Sequence, residues 1–239
     1  MCSDRAVQTY IIASNKRWHF DSFCQLRDSC PGHWMWVENT AGLEQALESA
    51  DVRFIFFLHW SERVPQSIWS NYECVCFHMT DLPFGRGGSP LQNLILRGHT
   101  ETKLSAFRMV EAMDAGPVYM KRVLPLEGRA QDIYLRAGQL SFEMIRLITE
   151  SEPVPVEQQG PPLLFKRRTP EQSQIPEGLN EQQRYDFIRM LDADGYPHAY
   201  IEQSGMRVEF RDAEMVDGRV VARATFLPIE SSDNAEESV

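Results

Sequence analysis

The sequence predicts an α/β fold: a doubly wound, mostly parallel, Rossmann-like sheet followed by a small β-rich module. Two observations carry this. Apolar runs of strand length alternate with segments of helical periodicity through the first half of the chain. After a proline-rich stretch the texture changes to one helix and three β-rich runs.

Taken in order, "VQTYIIAS" (7–14) reads as the first strand. "NKRWHFDSFCQLRDS" follows as a helix with Trp18, Phe23 and Leu26 on one face. "HWMWVEN" (33–39) is the second strand, and "TAGLEQALESA" (40–50) is a helix with Thr40 as its candidate N-cap. "VRFIFFLHW" is continuously apolar, as expected of a strand buried on both faces. "PQSIWSN" is a short helix or turn, and "CVCFHM" is the next strand. "SPLQNLILRG" opens a helix with Ser89 as cap and Pro90 at its first position. "KLSAFRMV" and "PVYMKRVLPL" are two further strands, and residues 129–151 form a long amphipathic helix. These assignments give a catalytic-type domain over 1–152, a linker over 153–178, and an α+β module over 179–229. An acidic, disordered tail is expected over 230–239.

Composition narrows the function. The 239 residues carry a formal charge of −10 and 43% apolar side chains. That acidity argues against a nucleic-acid groove, which needs clustered Lys and Arg. No apolar run approaches the ~20 residues of a membrane span, and the N-terminus lacks the apolar core of a signal peptide. A cytoplasmic protein is expected, without membrane partners. The five cysteines read as reduced core residues, and the lone Cys74-x-Cys76 pair is too little for a zinc site. No metal is expected. "DADGYP" (192–197) lacks the ligand spacing of a calcium loop.

The stretch "CVCFHMTDLPFGRGGSP" (74–90) places His78 at a strand end, where open α/β sheets bind ligands. Its glycines allow close approach of a ligand to the backbone, or form a turn needed only for packing. Without the Lys-Ser/Thr of a P-loop it is no nucleotide motif.

The block from Cys76 to Tyr119 resembles the catalytic core of the folate-dependent formyltransferases, whose motif runs Asn-x-His, Leu-Pro, Arg-Gly-x-x-Pro, then Asp-x-Gly. His78, Leu82-Pro83, Arg86 to Pro90, and Asp114 with Gly116 occupy those positions, and 36 residues separate His78 from Asp114 as in the family. The resemblance extends more weakly through "FKRRTPEQSQIP" and "YDFIRMLDADGYPHAYIE". It implies 10-formyltetrahydrofolate as cosubstrate and His78 and Asp114 as catalytic residues. Folate contacts then fall on Leu58, His59, Trp60, Val64, Pro65, Met109, Val110 and Asp114. Substrate contacts fall on Thr80, Arg86, Gly87, Gly88 and Ser89.

The chemistry suits these residue types. An amine attacks a formyl carbon, an imidazole stabilises the oxyanion, and a carboxylate orients the ring or takes a proton. One position departs from the pattern: Cys76 stands where the family has an oxyanion-donating Asn. A thiol is a poor donor beside an amide. A nucleophilic role for Cys76 would need a thiolate-stabilising neighbour, and only His78 is at hand.

The implied acceptor is a small amino sugar, nucleotide-linked or a nonulosonic acid precursor of the pseudaminic type. Alternatives are a methionyl-tRNA formyltransferase-like activity, a formyltetrahydrofolate deformylase, or a non-catalytic folate-binding protein. Arg97 is a further candidate sugar contact, and the Lys166–Arg168 run reads as a solvated charge run more readily than as a phosphate contact. The C-terminal strands can pair between subunits as a homodimer.

Overall fold

A computed structural model of the protein describes residues 7–229. The expected acidic tail lies outside them. In chain order the elements are β1 (Thr9–Ala13), α1 (Phe20–Ser29), β2 (His33–Val37), α2 (Thr40–Ser49), β3 (Val52–Phe57), α3 (Gln66–Trp69) and β4 (Cys74–His78). There follow β5 (Arg86–Gly87), α4 (Pro90–Ile95), β6 (Glu101–Arg108), β7 (Val118–Pro125) and α5 (Ala130–Ser151). The chain ends with β8 (Leu164–Phe165), α6 (Glu181–Arg189), β9 (Ala199–Gln203), β10 (Met206–Val216) and β11 (Arg219–Pro228).

The central sheet runs β2-β1-β3-β4-β6-β7. Its first four strands pair in parallel, while β6 and β7 are antiparallel. The β6–β7 connection, residues 109–117, is too short for the crossover of about a dozen residues that parallel strands need, so the chain folds straight back. Ile11, Ile12, Phe54, Ile55 and Phe56 are buried to within 2%. Covering both sheet faces makes their runs continuous rather than alternating. One core face includes Phe54, Phe56, Leu91 and the inner side of α5; the other holds Ile11, Ile55, Phe57 and Leu43.

Two caps differ from expectation. The N-cap of α2 is Asn39, whose side chain accepts from the Gly42 N–H. Thr40 is the first helical residue, and its N–H and hydroxyl both donate to Glu62. Ser89 does precede α4, but in a left-handed conformation (φ 50°) and without a capping bond. Its hydroxyl instead accepts from the Arg168 N–H.

The C-terminal sheet runs β11-β10-β9, and an Asp217-Gly218 turn joins β10 to β11. Both turn residues have positive φ, as the tight hairpin requires. This module is anchored to the first: Arg189 donates to the carbonyls of Leu126 and Gly128, Gln92 to that of Met190, and Arg129 pairs with Asp212 at 2.6 Å. Phe187, Met190 and Leu191 belong to the same core cluster as Phe54 and Ile145.

The proline-rich stretch after α5 is an ordered strap. Val156 forms a bridge with Val118 at the β7 edge, and β8 pairs in parallel with β5. The strap therefore reaches the loop that follows β4.

Candidate active site

His78 ends β4 at the carboxyl edge of the parallel strands and is buried to 9%. Its Nε2 lies 2.8 Å from the Gly85 carbonyl. A carbonyl only accepts, so Nε2 carries the proton, and in the neutral ring Nδ1 is left as the acceptor. That Nδ1 faces Asp114 Oδ2 at 3.7 Å. Asp114 sits in the β6–β7 loop with a left-handed backbone (φ 52°), and its Oδ2 also accepts the Gly87 N–H at 2.8 Å. The end of β4 and the turn that follows it thus converge on one carboxylate from the β6–β7 loop.

The glycine-rich turn is filled by protein. A Cβ at Gly87 would stand 2.4 Å from the Phe165 carbonyl oxygen, and one at Gly88 would stand 2.4 Å from Arg167 Cβ. The glycines admit β8 and the strap, so close packing of a neighbouring segment explains them. The side chains expected to meet substrate are likewise engaged. Arg86 Nε and Nη2 donate to Gln158 Oε1 at 3.1 and 2.8 Å. Ser89 Oγ meets the Arg168 N–H and, at 3.3 Å, the Tyr196 hydroxyl. Thr80 is fully buried with its hydroxyl turned to the Gly85 carbonyl, so its place as a substrate contact is corrected to an internal one. Arg97 lies over the Phe165 ring and bonds Asn93, while the Lys166 carbonyl accepts from Asn93.

Of the residues assigned to a folate pocket, Trp60, Val64 and Met109 pack with Cys76 against one core cluster on a single side of β4. Trp60 Nε1 is a buried donor without a partner among the described residues. An apolar wall with one unused N–H suits a flat heterocycle that carries ring acceptors. Pro65 precedes α3, and Val110 lies beside Gly116. Leu58 and His59 go elsewhere. Leu58 is buried in the opposite core cluster. His59, with φ 47°, stacks on His19 at a ring-centroid distance of 5.0 Å. Burial lowers the ordinary histidine range to about 4 for His19, and to about 3 for His59, which is further lowered by His19 and Lys16. Both rings are therefore neutral at pH 7.

Burial, reinforced by Cys74 and Asp114, pushes the Cys76 thiol well above its ordinary value. Cys76 is thus a neutral thiol at pH 7 and not a thiolate nucleophile. Among the described residues no group of three or more His, Cys, Asp or Glu could hold a metal ion, and no helix is long and apolar enough to cross a membrane.

Sequence reasoning missed Gln158, Phe165 and the His19–His59 pair. Gln158 lies in a polar stretch without periodicity, and nothing in its neighbours marks it.

A histidine–carboxylate pair thus stands at the carboxyl edge of a parallel-rich sheet in an α/β domain, with Trp60, Val64 and Met109 packed against a core cluster nearby. Comparison with known proteins sharpens this class. A family model of the methionyl-tRNA formyltransferase C-terminal domain matches residues 170–227. A solved methionyl-tRNA formyltransferase from Clostridium thermocellum is 39% identical, with a TM-score of 0.89 over 93% of this chain and 100% of that one. A methionyl-tRNA formyltransferase from Lactobacillus acidophilus is 27% identical over 178 residues, 69% of this chain and 56% of that protein. The chain spans about half the length of such curated relatives. HypX from Aquifex aeolicus, solved with tetrahydrofolic acid, shares the fold at 17% identity and a TM-score of 0.70, over 85% of this chain and 37% of that one. The chain belongs to the formyltransferase family.

Proposed function

We propose that this chain transfers the formyl group of 10-formyltetrahydrofolate to a primary amine, with the aminoacyl group of methionyl-tRNA as the acceptor. The observation that carries the reaction is the His78–Asp114 pair, set 3.7 Å apart by β4 and the β6–β7 loop. The acceptor follows from the similarity to the clostridial and lactobacillar proteins and from the matched C-terminal module. The donor suits the apolar side chains of Trp60, Val64 and Met109 with the unused indole N–H of Trp60. When bound, it supplies the formyl carbon.

The geometry supports a division of labour. The His78 Nε2–H is spent on Gly85, so the open Nδ1 takes the proton of the attacking amine. Asp114 then faces the resulting imidazolium and stabilises it. The same Nδ1–H can return its proton to the departing nitrogen, which balances the transfer. Cys76 supplies at most a weak S–H donor to the oxyanion.

A second acceptor, an amino sugar of the nucleotide-linked or nonulosonate type, is favoured by the net charge of −10, which opposes a polyanion as partner. Mass spectrometry of reactions with methionyl-tRNA and with a panel of aminated sugars separates the two by which product gains a formyl group. Formate release without acceptor would mark a deformylase instead. His78→Ala is expected to lower the transfer rate by ~10²–10⁴. Full activity in that variant would overturn the assignment.

A further inference from the structure

Asp114 depends on a contact from outside its own loop. Its backbone is left-handed (φ 52°), a region that Asp visits more readily than most non-glycine residues but that still needs neighbours to fix it. Glu111, Ala112 and Met113 are exposed and offer no packing. The Gly87 N–H holds the carboxylate and the Arg108–Pro117 bond holds the base of the loop, and the strap supplies a third hold, on the backbone of Asp114 itself. Gln158 Nε2 donates to the carbonyls of Asp114 and Gly116 at 2.9 and 2.8 Å. Its Oε1 accepts from Arg86 Nε and Nη2. Both amide hydrogens and both oxygen lone pairs are thus used. Only one amide orientation satisfies them, because two carbonyls face one end and a guanidinium faces the other. Gln158 is half-buried, while Glu157, Gln159 and Gly160 beside it are exposed.

We propose that Gln158 is a positioning residue for the proposed formyl transfer. It ties the Asp114 loop to the Arg86 turn and thereby sets the carboxylate against His78 Nδ1. The inference rests on the proposed function only for its catalytic consequence. The same amide links the strap to the site, so docking of residues 153–165 and the placement of Asp114 are one event. Val156 and β8 hold the strap on either side of Gln158. Gly160, in a left-handed conformation (φ 96°) with open space around it, breaks the strap between these anchors.

The test compares Gln158→Ala and Gln158→Glu with Asp114→Asn in the full chain. Glutamate keeps an acceptor for Arg86 but cannot donate to two carbonyls, so it isolates the contact to the Asp114 loop. The first readout is the imidazole ¹³C chemical shift of labelled His78 at one fixed pH, which reports the placement of the facing carboxylate whether or not an acceptor has been found. Both Gln158 variants are expected to move this chemical shift at least halfway toward that of Asp114→Asn. With an active acceptor, kcat should fall by ~10–100-fold, because a misplacement of about 1 Å in a reacting group costs up to ~10²-fold. KM for 10-formyltetrahydrofolate should stay within about 3-fold, because the folate wall is untouched. His78 chemical shifts that match wild type in both variants overturn the proposal, even if thermal stability drops. A wild-type chain that formylates no acceptor refutes the functional reading alone, and the chemical shift still decides Gln158.

Discussion

Replacing Gly116 by alanine tests how rigidly the Asp114 loop is locked. A Cβ there would lie 1.8 Å from the Arg108 carbonyl oxygen and 3.3 Å from Val110 Cγ1. Carbon–oxygen contacts are comfortable at about 3.3 Å, so roughly 1.5 Å must open. Arg108 cannot retreat easily, because it is paired with Val75 of β4 and its N–H donates to the Pro117 carbonyl at 2.9 Å. The loop must move instead, carrying Asp114 away from His78. Overpacking of this kind costs about 1–3 kcal/mol, and loss of the Arg108–Pro117 bond adds about 1 kcal/mol. At about 2–4 °C per kcal/mol for a chain of this size, Tm should fall by roughly 5–15 °C. A shift of about 1 Å in a catalytic group costs on the order of 10² in rate. Calorimetry and single-turnover formyl transfer measure the two effects on the same preparation. A variant with Tm within about 1 °C of wild type, at an expected scale of several degrees, would refute the claim that the loop is locked against β6.

Two further outcomes follow from the site and its surroundings. Cys76→Asn should raise kcat by ~10²–10³ if the absent amide is an oxyanion donor, since one such donor is worth that much; an unchanged or lower kcat in a folded variant would mean that another group already fills the role. Acid should destabilise the fold through His19 and His59, whose folded values of about 4 and about 3 lie below the ordinary ~6.5. The unfolded chain then binds their protons first, so their contribution is complete above about pH 6.5 and is lost as pH falls toward 4. The loss is of order 1 kcal/mol per histidine per pH unit. Urea denaturation between pH 7.5 and 4.5 measures it, and replacing both rings by glutamine should flatten the curve; a flat wild-type curve would mean that the rings are not buried neutral.

What was legible in the sequence follows from what leaves a local mark. Phe54 to Leu58 form an uninterrupted apolar run because both faces of β3 are covered, and a run of that kind announces itself. The convergence of His78 and Asp114, which lie 3.7 Å apart, was legible through motif and separation, since a fold that brings two side chains together fixes the number of residues between them. The cap of α2 was misplaced by one residue because Asn39 and Thr40 are both good caps, and a contact with Glu62, outside the helix, distinguishes them. The glycine turn shows the deeper difficulty. Gly87 and Gly88 announce that something approaches the backbone closely, but a ligand and a second strand leave the same signature. The second strand is Leu164–Phe165, lying in a segment with no hydrophobic period of its own. Its pairing uses main-chain groups, which every residue carries, so no side-chain pattern encodes it. Gln158 is the limiting case. Its importance lies in four bonds to a guanidinium and two carbonyls that arrive from segments over forty residues away. A glutamine beside another glutamine in a polar stretch gives no sign of this. The carboxylate was readable because chemistry restricts which residue stands there; the residue that holds it in place was not, because only the assembled loops restrict that one.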